Sequence, residues 1–206
     1  MRQSVLDAFF GFSAKFEGSC NFPYCDVLGL VTTGVGNLID PIETAIALPW
    51  TILLLRPASP DEIREGWLAV KARKDLTQHG GMAYKNISHL RLSQDAIVDL
   101  VDQRMASNEA ELLHYFPTFA DFPAPAQMGI MSIAWACGAG FPETFVNFKR
   151  AANSGDWVAA AAQSHVSNGA PARNDANHYM FLTAACTVAD GSDYDVLHWP
   201  QPPFAA

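Results

Sequence analysis

Residues 16–37 have the sequence FEGSCNFPYCDVLGLVTTGVGN, in which an apolar helix gives way to short runs separated by proline and glycine. Upstream, apolar residues recur at spacings of four, three and four, which places them on one helix face: Val5, Phe9, Phe12, Phe16. We expect this helix to be capped by Ser4 and to end at Glu17–Gly18. The alternating runs of residues 20–39 predict a small antiparallel sheet with tight turns.

Three polar residues of this segment form a pattern typical of glycosidic hydrolysis. Glu17 ends an apolar helix, where a low dielectric would raise the carboxyl pKa as a general acid requires. Asp26 lies beside a predicted turn, where water keeps it ionised, and Thr32 lies in the returning strand. The hairpin would bring Asp26 and Thr32 towards each other and towards the helix end. An acid, a base and a hydroxyl that orients water would then meet.

Each of these residues alone has an ordinary structural explanation. Glu17 alone fits a solvated last helical turn, Asp26 a turn and Thr32 a strand. Their joint spacing favours the hydrolase. The segment Gly34-Val35-Gly36 lacks the third glycine and the lysine of nucleotide-binding loops, so we do not expect a nucleotide.

The chain from residue 40 to residue 80 predicts two capped helices. Asp40-Pro41-Ile42-Glu43 indicates a helix start with Asp40 as the cap, and this short helix stops by Pro49. Residues 50–56 fit either a strand or a helix. Ser59-Pro60-Asp61-Glu62 indicates a longer helix to about Gln78, whose apolar face is formed by Ile63, Trp67 and Val70.

The C-terminal half reads as a series of helices. Ser93 caps the first, whose apolar face keeps helical spacing through Ile97, Val101, Met105, Leu112 and Phe116. Residues 127–137 are apolar all round, which predicts a central buried helix. Further helices are expected at 142–153, 157–166 and 173–185.

The predicted fold class is α+β and mostly helical, with a small antiparallel sheet lobe, a helical C-terminal lobe and a cleft between them. We expect one domain, residues 1–206. Its parts would be a helix plus sheet lobe (1–58), a linking helix (59–80), a helical lobe (81–189) and a tail (190–206). The 206 residues suit one domain or one with two lobes. A cleft between lobes is a common ligand site.

Composition and charge exclude several classes of protein. Half of the residues are hydrophobic, which excludes wholesale disorder, and a net charge of −8 argues against a general nucleic-acid binder. Asp7 interrupts the apolar N-terminus, so we expect no signal peptide, and no apolar run suits a membrane span. Four cysteines without C-x-x-C spacing and six scattered histidines predict free thiols and no metal site.

The pattern of Glu17, Asp26 and Thr32, with Tyr24 before and Gly34-x-Gly36 after, resembles the phage-type lysozymes of glycoside hydrolase family 24, the T-even phage type. That family has Glu, eight residues, Asp, five residues and Thr in this context. Later segments are similar to the family's C-lobe helices and to its arginine-delivering loop: 131–138, 145–161 and 168–173. Only the N-terminal motif is specific, and residues 41–122 match loosely.

The resemblance implies a lysozyme-like fold and a muramidase that hydrolyses the β-1,4 bond between N-acetylmuramic acid and N-acetylglucosamine. Glu17 would protonate the leaving oxygen, while Asp26 and Thr32 would hold the attacking water. Arg173 would pair with Glu17, although a surface arginine at a helix start is the alternative. An inverting mechanism fits these roles, and a retaining one stays open because it depends on the carboxylate separation. No metal or organic cofactor is implied.

Substrate binding is assigned to Tyr24, Asn37, Trp135 and Asn168. Trp135 fits a core aromatic equally well, and solvated loop positions are the alternative for Asn168 and Gln127. The family often has histidine where Asn37 stands, and residues 67–91 are longer here than in its shortest members.

The implied protein is a bacteriolytic, antimicrobial phage endolysin that acts as a monomer on bacterial peptidoglycan. It would stay in the host cytoplasm until a holin or another release system lets it reach the wall, with no stable membrane insertion. The alternatives are a virion-associated enzyme, a lytic transglycosylase or chitinase-like enzyme, and a non-catalytic wall-binding protein. Transglycosylases usually work with one acid, so Asp26 and Thr32 favour hydrolysis.

Overall fold

A computed structural model describes residues 1–167 and 169–197 of the chain. Its helices are α1 (Gln3–Glu17), α2 (Ile42–Ile46), α3 (Pro60–Lys71), α4 (Gln94–Tyr115), α5 (Ala124–Cys137), α6 (Val146–Asn153), α7 (Trp157–Ala162) and α8 (Pro171–Ala189). Its strands are β1 (Cys20–Cys25), β2 (Val31–Gly34), β3 (Asn37–Leu38), β4 (Thr51–Ile52), β5 (Arg56–Pro57) and β6 (Leu90–Arg91). The predicted α+β, mostly helical class is confirmed at this level.

The chain divides into two compact units. The sheet unit comprises Glu17–Gln103, and the helical unit comprises Met1–Phe16 together with the chain from Arg104 onward. The unit boundaries therefore fall inside α1 and α4. The predicted partition differs, because it grouped the first helix with the sheet and treated residues 59–80 as a linker. In the structure α1 belongs almost wholly to the helical unit, and α3 packs inside the sheet unit on α2 and β1.

Helix α1 has the buried face that the spacing predicts. Val5, Phe9 and Phe12 are fully buried, and the helix ends at Glu17, where Gly18 takes a positive φ. The predicted cap is wrong, because the helix begins at Gln3 and Ser4 therefore lies inside it.

Strands β1, β2 and β3 form the predicted antiparallel sheet in that order. Tyr24 pairs with Thr32, and Thr32 pairs in turn with Leu38 on the next strand. The sheet thus places Tyr24 of β1 beside Thr32 of β2.

The start of α2 differs from its prediction. The Asp40–Pro41 peptide bond is cis, Pro41 is the cap position, and the helix begins at Ile42 without a side-chain cap. The Asp40 carboxylate is used elsewhere, since it accepts hydrogen bonds from the Lys71 ammonium and from the Val31 amide.

A second sheet, in the order β5-β4-β6, resolves the ambiguous stretch at residues 50–56. Strands β4 and β5 form a hairpin, and Thr51 also pairs with Arg91, far away along the chain. The strand at Leu90–Arg91 was not predicted, because two residues carry no detectable periodicity.

Helix α3 has the predicted capping box, with Ser59 accepting from the Glu62 amide and Glu62 accepting from the Ser59 amide. Its buried face is Ile63, Trp67 and Val70, as predicted. The helix ends at Lys71 and not near Gln78. Two 3₁₀ segments follow it, Lys74–His79 and Gly81–Tyr84.

The C-terminal helices match the predictions in number and order. The Ser93 hydroxyl caps α4 by accepting from the Ala96 amide, at 3.1 Å. Helix α5 is buried along its length from Ala124 to Trp135, and it packs on α8. Around them lies a cluster of aromatic rings, with neighbouring centroids 4.9–6.5 Å apart: Phe116, Phe119, Phe122, Phe141, Phe148, Trp157, Phe181. Most of the predicted tail lies outside the described residues.

Within residues 1–167 and 169–197, no helix is long and apolar enough to cross a membrane. The same described part of the chain holds no cluster of three or more histidine, cysteine and acidic residues that suits a metal ion. All four cysteines are free thiols.

Candidate active site

Glu17 is the last residue of α1 and lies against the turn between β2 and β3. A Cβ built on Gly36 would stand 3.6 Å from Oε2 and 3.7 Å from Cδ of Glu17. These are van der Waals distances, so the β2–β3 turn directly adjoins the Glu17 carboxylate. The apolar surroundings expected for Glu17 are not found, since the residue is exposed to solvent.

Asp26 organises the turn between β1 and β2. Its Oδ1 atom accepts hydrogen bonds from the amides of Leu28, at 2.9 Å, and Leu30, at 2.8 Å. This is the local side-chain-to-backbone bonding that favours aspartate in turns. The residue is half-buried. Both bonds are made to one carboxylate oxygen, and within residues 1–167 and 169–197 the other accepts no hydrogen bond, so it can serve a ligand.

Thr32 is joined to Asp26 through one carbonyl group. The Thr32 hydroxyl donates to the Leu30 carbonyl at 3.2 Å, and the Asp26 amide donates to the same oxygen at 2.9 Å. Thr32 is 5% exposed. Since its hydroxyl hydrogen is used in this bond, its oxygen lone pairs are the groups that it can offer to water.

Tyr24 lies opposite Thr32 and close to the acidic residues. Burial is the main cause that raises the pKa of its phenol, and the nearby charges of Cys20, Glu17 and Asp26 add to it. The phenol therefore stays protonated and offers a hydrogen-bond donor. Glu17, Tyr24, Asp26 and Thr32 thus belong to one part of the sheet unit.

Lys71, the last residue of α3, binds the turn between β1 and β2 and also Asp40. Its ammonium donates to the Gly29 carbonyl at 2.9 Å and forms an ion pair with Asp40. Burial would raise the pKa of Asp40, but the hydrogen bonds from Lys71 and from the Val31 amide outweigh it and hold this pKa below its ordinary value. Sequence reasoning missed Lys71, because nothing in a helical lysine marks so distant a partner.

The first 3₁₀ segments after α3 pack on β1. A Cβ on Gly81 would stand 3.0 Å from the Cys20 sulfur and 3.3 Å from ring carbons of Tyr24. Gly81 therefore permits a close approach that fixes the Tyr24 ring. No pattern in the sequence predicted this contact.

Asn37 has a structural role in this geometry. It is 5% exposed, its Oδ1 accepts from the Val35 amide at 3.2 Å, and its Nδ2 donates to the Leu100 carbonyl at 3.2 Å. The side chain ties the β2–β3 turn to α4. The prediction that Asn37 binds substrate receives no support from these contacts.

Trp135 lies in the core of the helical unit. It is 3% exposed, its ring centroid is 5.1 Å from that of Phe9, and the Arg104 guanidinium lies 3.9 Å from the indole centroid. Arg104 also donates to the Trp135 carbonyl at 2.7 Å. These contacts favour the core alternative over stacking on a sugar.

Arg173 is 5% exposed, and its guanidinium lies 5.3 Å from the ring centroid of Phe16. Its pairing with Glu17 stays a prediction. Asn168 lies outside the described residues. Gln127 is fully buried and joins the Arg2 amide, at 2.7 Å, to the Phe119 carbonyl, at 2.8 Å, so it serves the core.

Comparison with known proteins adds no relative: no protein-family model matches the chain, and no curated protein matches it.

Proposed function

We propose that this protein is a peptidoglycan muramidase of the lysozyme-like class, which hydrolyses the β-1,4 bond between N-acetylmuramic acid and N-acetylglucosamine. The observation that carries the proposal is the link between Asp26 and Thr32 through the Leu30 carbonyl, in a hairpin whose next turn adjoins Glu17. An exposed acid, a half-buried carboxylate and an oriented hydroxyl are the groups that glycosidic hydrolysis needs.

Each group has a defined task in the proposed reaction. Glu17 protonates the glycosidic oxygen as the bond to the anomeric carbon breaks. A water molecule donates its hydrogens to Asp26 and to the Thr32 oxygen, and its own oxygen attacks the anomeric carbon. Asp26 takes up the proton that the water loses. Tyr24 remains a hydrogen-bond donor beside the reacting groups, because its pKa is raised.

Arg173 is proposed to tune Glu17, as the family resemblance implies. Its near-complete burial makes it more than a solvated surface arginine. Wall binding is proposed to be local, through contacts around the sugars, because a net charge of −8 does not attract an anionic wall. The proposed biological setting is that of an endolysin released to the wall by a holin or an equivalent system.

The decisive experiment is mass analysis of the fragments released from purified peptidoglycan. Hydrolysis gives reducing ends at N-acetylmuramic acid, whereas a lytic transglycosylase gives 1,6-anhydro ends. Glu17→Gln should abolish release while leaving the thermal unfolding midpoint nearly unchanged, since Glu17 is exposed. A 1,6-anhydro product, or full activity of Glu17→Gln, would overturn the proposed reaction.

A non-catalytic wall-binding protein is the alternative from a different class. It would sediment with purified peptidoglycan and release no fragment. Loss of turbidity of permeabilised Gram-negative cells gives the rapid version of the test, with Glu17→Gln as the control for contaminating lytic activity.

A further inference from the structure

The turn that joins β4 to β5 exposes three consecutive leucines. Leu53, Leu54 and Leu55 are 46%, 56% and 84% exposed. Large apolar side chains are common singly on protein surfaces, but three in succession at a hairpin tip form an apolar projection. We call residues 53–55 the leucine tip. It belongs to the sheet unit and has no part in the proposed reaction.

The backbone of the leucine tip is strained. Leu53 has φ +51° and Leu54 has φ +63°, and these are the only non-glycine residues with positive φ in the described chain. The loop between the paired residues Ile52 and Arg56 has three residues. Two consecutive turn positions with positive φ favour Asn-Gly or Asp-Gly, because a Cβ is disfavoured in the left-handed region. Leucine at both positions therefore lowers folding stability in two ways, by strain and by exposure. Such a sequence at such a turn indicates a role other than folding.

Two of the three amides of the leucine tip have hydrogen-bond partners. The Leu53 amide donates to the His89 carbonyl at 2.9 Å, and the Leu55 amide donates to the Ile52 carbonyl at 2.9 Å. Entry into an apolar medium is costly for amides without partners, and these two have theirs.

The charge next to the leucine tip is neutralised. Arg56 follows Leu55 directly, and its guanidinium forms a two-pronged ion pair with Glu62, at 2.9 Å and 2.5 Å. The base of the tip therefore carries no net charge from this pair. The chain as a whole is acidic, so it is repelled by an anionic surface.

We propose that the leucine tip inserts into the interface of a lipid bilayer with zwitterionic headgroups and attaches the protein there reversibly. Its three exposed leucines, its two hydrogen-bonded amides and the ion-paired Arg56 at its base suit a fluid apolar layer, which needs no complementary pocket. The attachment is peripheral and differs from a spanning segment. It does not depend on the proposed hydrolase activity.

The test is co-sedimentation of the full chain with phosphatidylcholine vesicles. The double variant Leu53→Asn/Leu54→Gly replaces the first two leucines of the tip with the residues that consecutive positive-φ turn positions favour and keeps Leu55. It should lower the partition coefficient by about tenfold or more, since it removes two leucine side chains from the contact. Its thermal unfolding midpoint should be equal to or above that of the parent, so misfolding cannot explain the loss. Leu113→Gln, at a leucine that is 41% exposed on α4, should bind as the parent does.

Three outcomes would overturn the proposal. The first is a parent protein that does not sediment with phosphatidylcholine, and the second is a double variant that binds equally well. The third is a parent that dimerises in size-exclusion chromatography and ignores vesicles while the double variant is monomeric. That result would make the leucine tip a contact between copies of the chain.

Discussion

A Cβ at Gly36 would touch the carboxylate of Glu17, 3.6 Å from Oε2 and 3.7 Å from Cδ, whereas glycine places only a hydrogen atom there. Gly36 also has φ +73°, a conformation that disfavours side chains. The same glycine thus satisfies the turn and leaves this side of the proposed acid without a methyl contact. These two requirements can be separated by experiment.

Gly36→Ala should lower the rate of peptidoglycan cleavage more than its effect on stability explains. Alanine at this φ costs about 1 kcal/mol of unfolding free energy, and the new methyl group would also lie in van der Waals contact with the Glu17 carboxylate and shield that side of it from water. Gly155→Ala is the matched control, because Gly155 has the same φ of +73° and open space where a Cβ would lie. Both variants should lose similar stability in urea unfolding. Equal rates for the two variants would argue against the role of Gly36 beside Glu17.

Short-range signals in the sequence predicted much of this site. Apolar spacing located α1, the glycines located the hairpin, and the order of Glu17, Asp26 and Thr32 located the proposed chemistry. What the sequence does not contain is the long-range partner. The side-chain amide of Asn37 donates to the Leu100 carbonyl, and the Lys71 ammonium donates to the Gly29 carbonyl. Both bonds join residues too far apart in the chain for a local pattern to predict them.

The same limit explains the errors in the fold. Asp40 has the residue type and spacing of a helix cap, but Lys71 and the Val31 amide take its carboxylate instead. Strand β6 depends on pairing with β4 and not on its own two residues. Local propensity is a weak guide where tertiary partners decide the outcome.

Asp26 should separate structure from chemistry when it is replaced in two ways. Asp26→Asn keeps an Oδ1 atom that can accept from the Leu28 and Leu30 amides, so the turn should persist while the negative charge is lost. We expect most activity to disappear with little change in stability. Asp26→Ala removes both hydrogen bonds and should also lower the unfolding free energy by about 1–2 kcal/mol. Full lytic activity in Asp26→Asn would remove this carboxylate from the reaction.

The Asp40–Lys71 ion pair should make stability depend on acid pH. The side chains are 17% and 28% exposed, and the pKa of Asp40 is lowered in the folded state. A lowered folded pKa stabilises fully above the unfolded value of about 3.9, and this stability is lost as the pH falls through the folded value. Asp40→Asn should therefore lower the unfolding free energy by about 1–2 kcal/mol near neutral pH, and by progressively less below about pH 4.

Asp75→Asn is the control for that experiment. Asp75 likewise forms an ion pair, in this case with Arg73. Its side chain and that of Arg73 are 59% and 42% exposed, so water screens the pair. Asp75→Asn should leave the free energy of unfolding in urea unchanged from about pH 3 to about pH 7, a range that includes the titration of ordinary carboxylates. A loss in Asp40→Asn that stays constant over this range would show that packing, and not charge, is what Asp40 contributes.

Replacement of Ser132 by alanine should stabilise the protein. It is 2% exposed within α5, and its hydroxyl has no hydrogen-bond partner among the described residues. Removing an unpaired buried hydroxyl and gaining helix propensity should raise the unfolding free energy by about 1 kcal/mol. Ser164→Ala is the contrasting variant, because the Ser164 hydroxyl is equally buried but donates to the Ala161 carbonyl at 2.9 Å. Ser164→Ala should lower the unfolding free energy by about 0.5–1.5 kcal/mol. Urea unfolding of both variants tests the contrast, and a destabilised Ser132→Ala would mean that a bound water satisfies the hydroxyl inside α5.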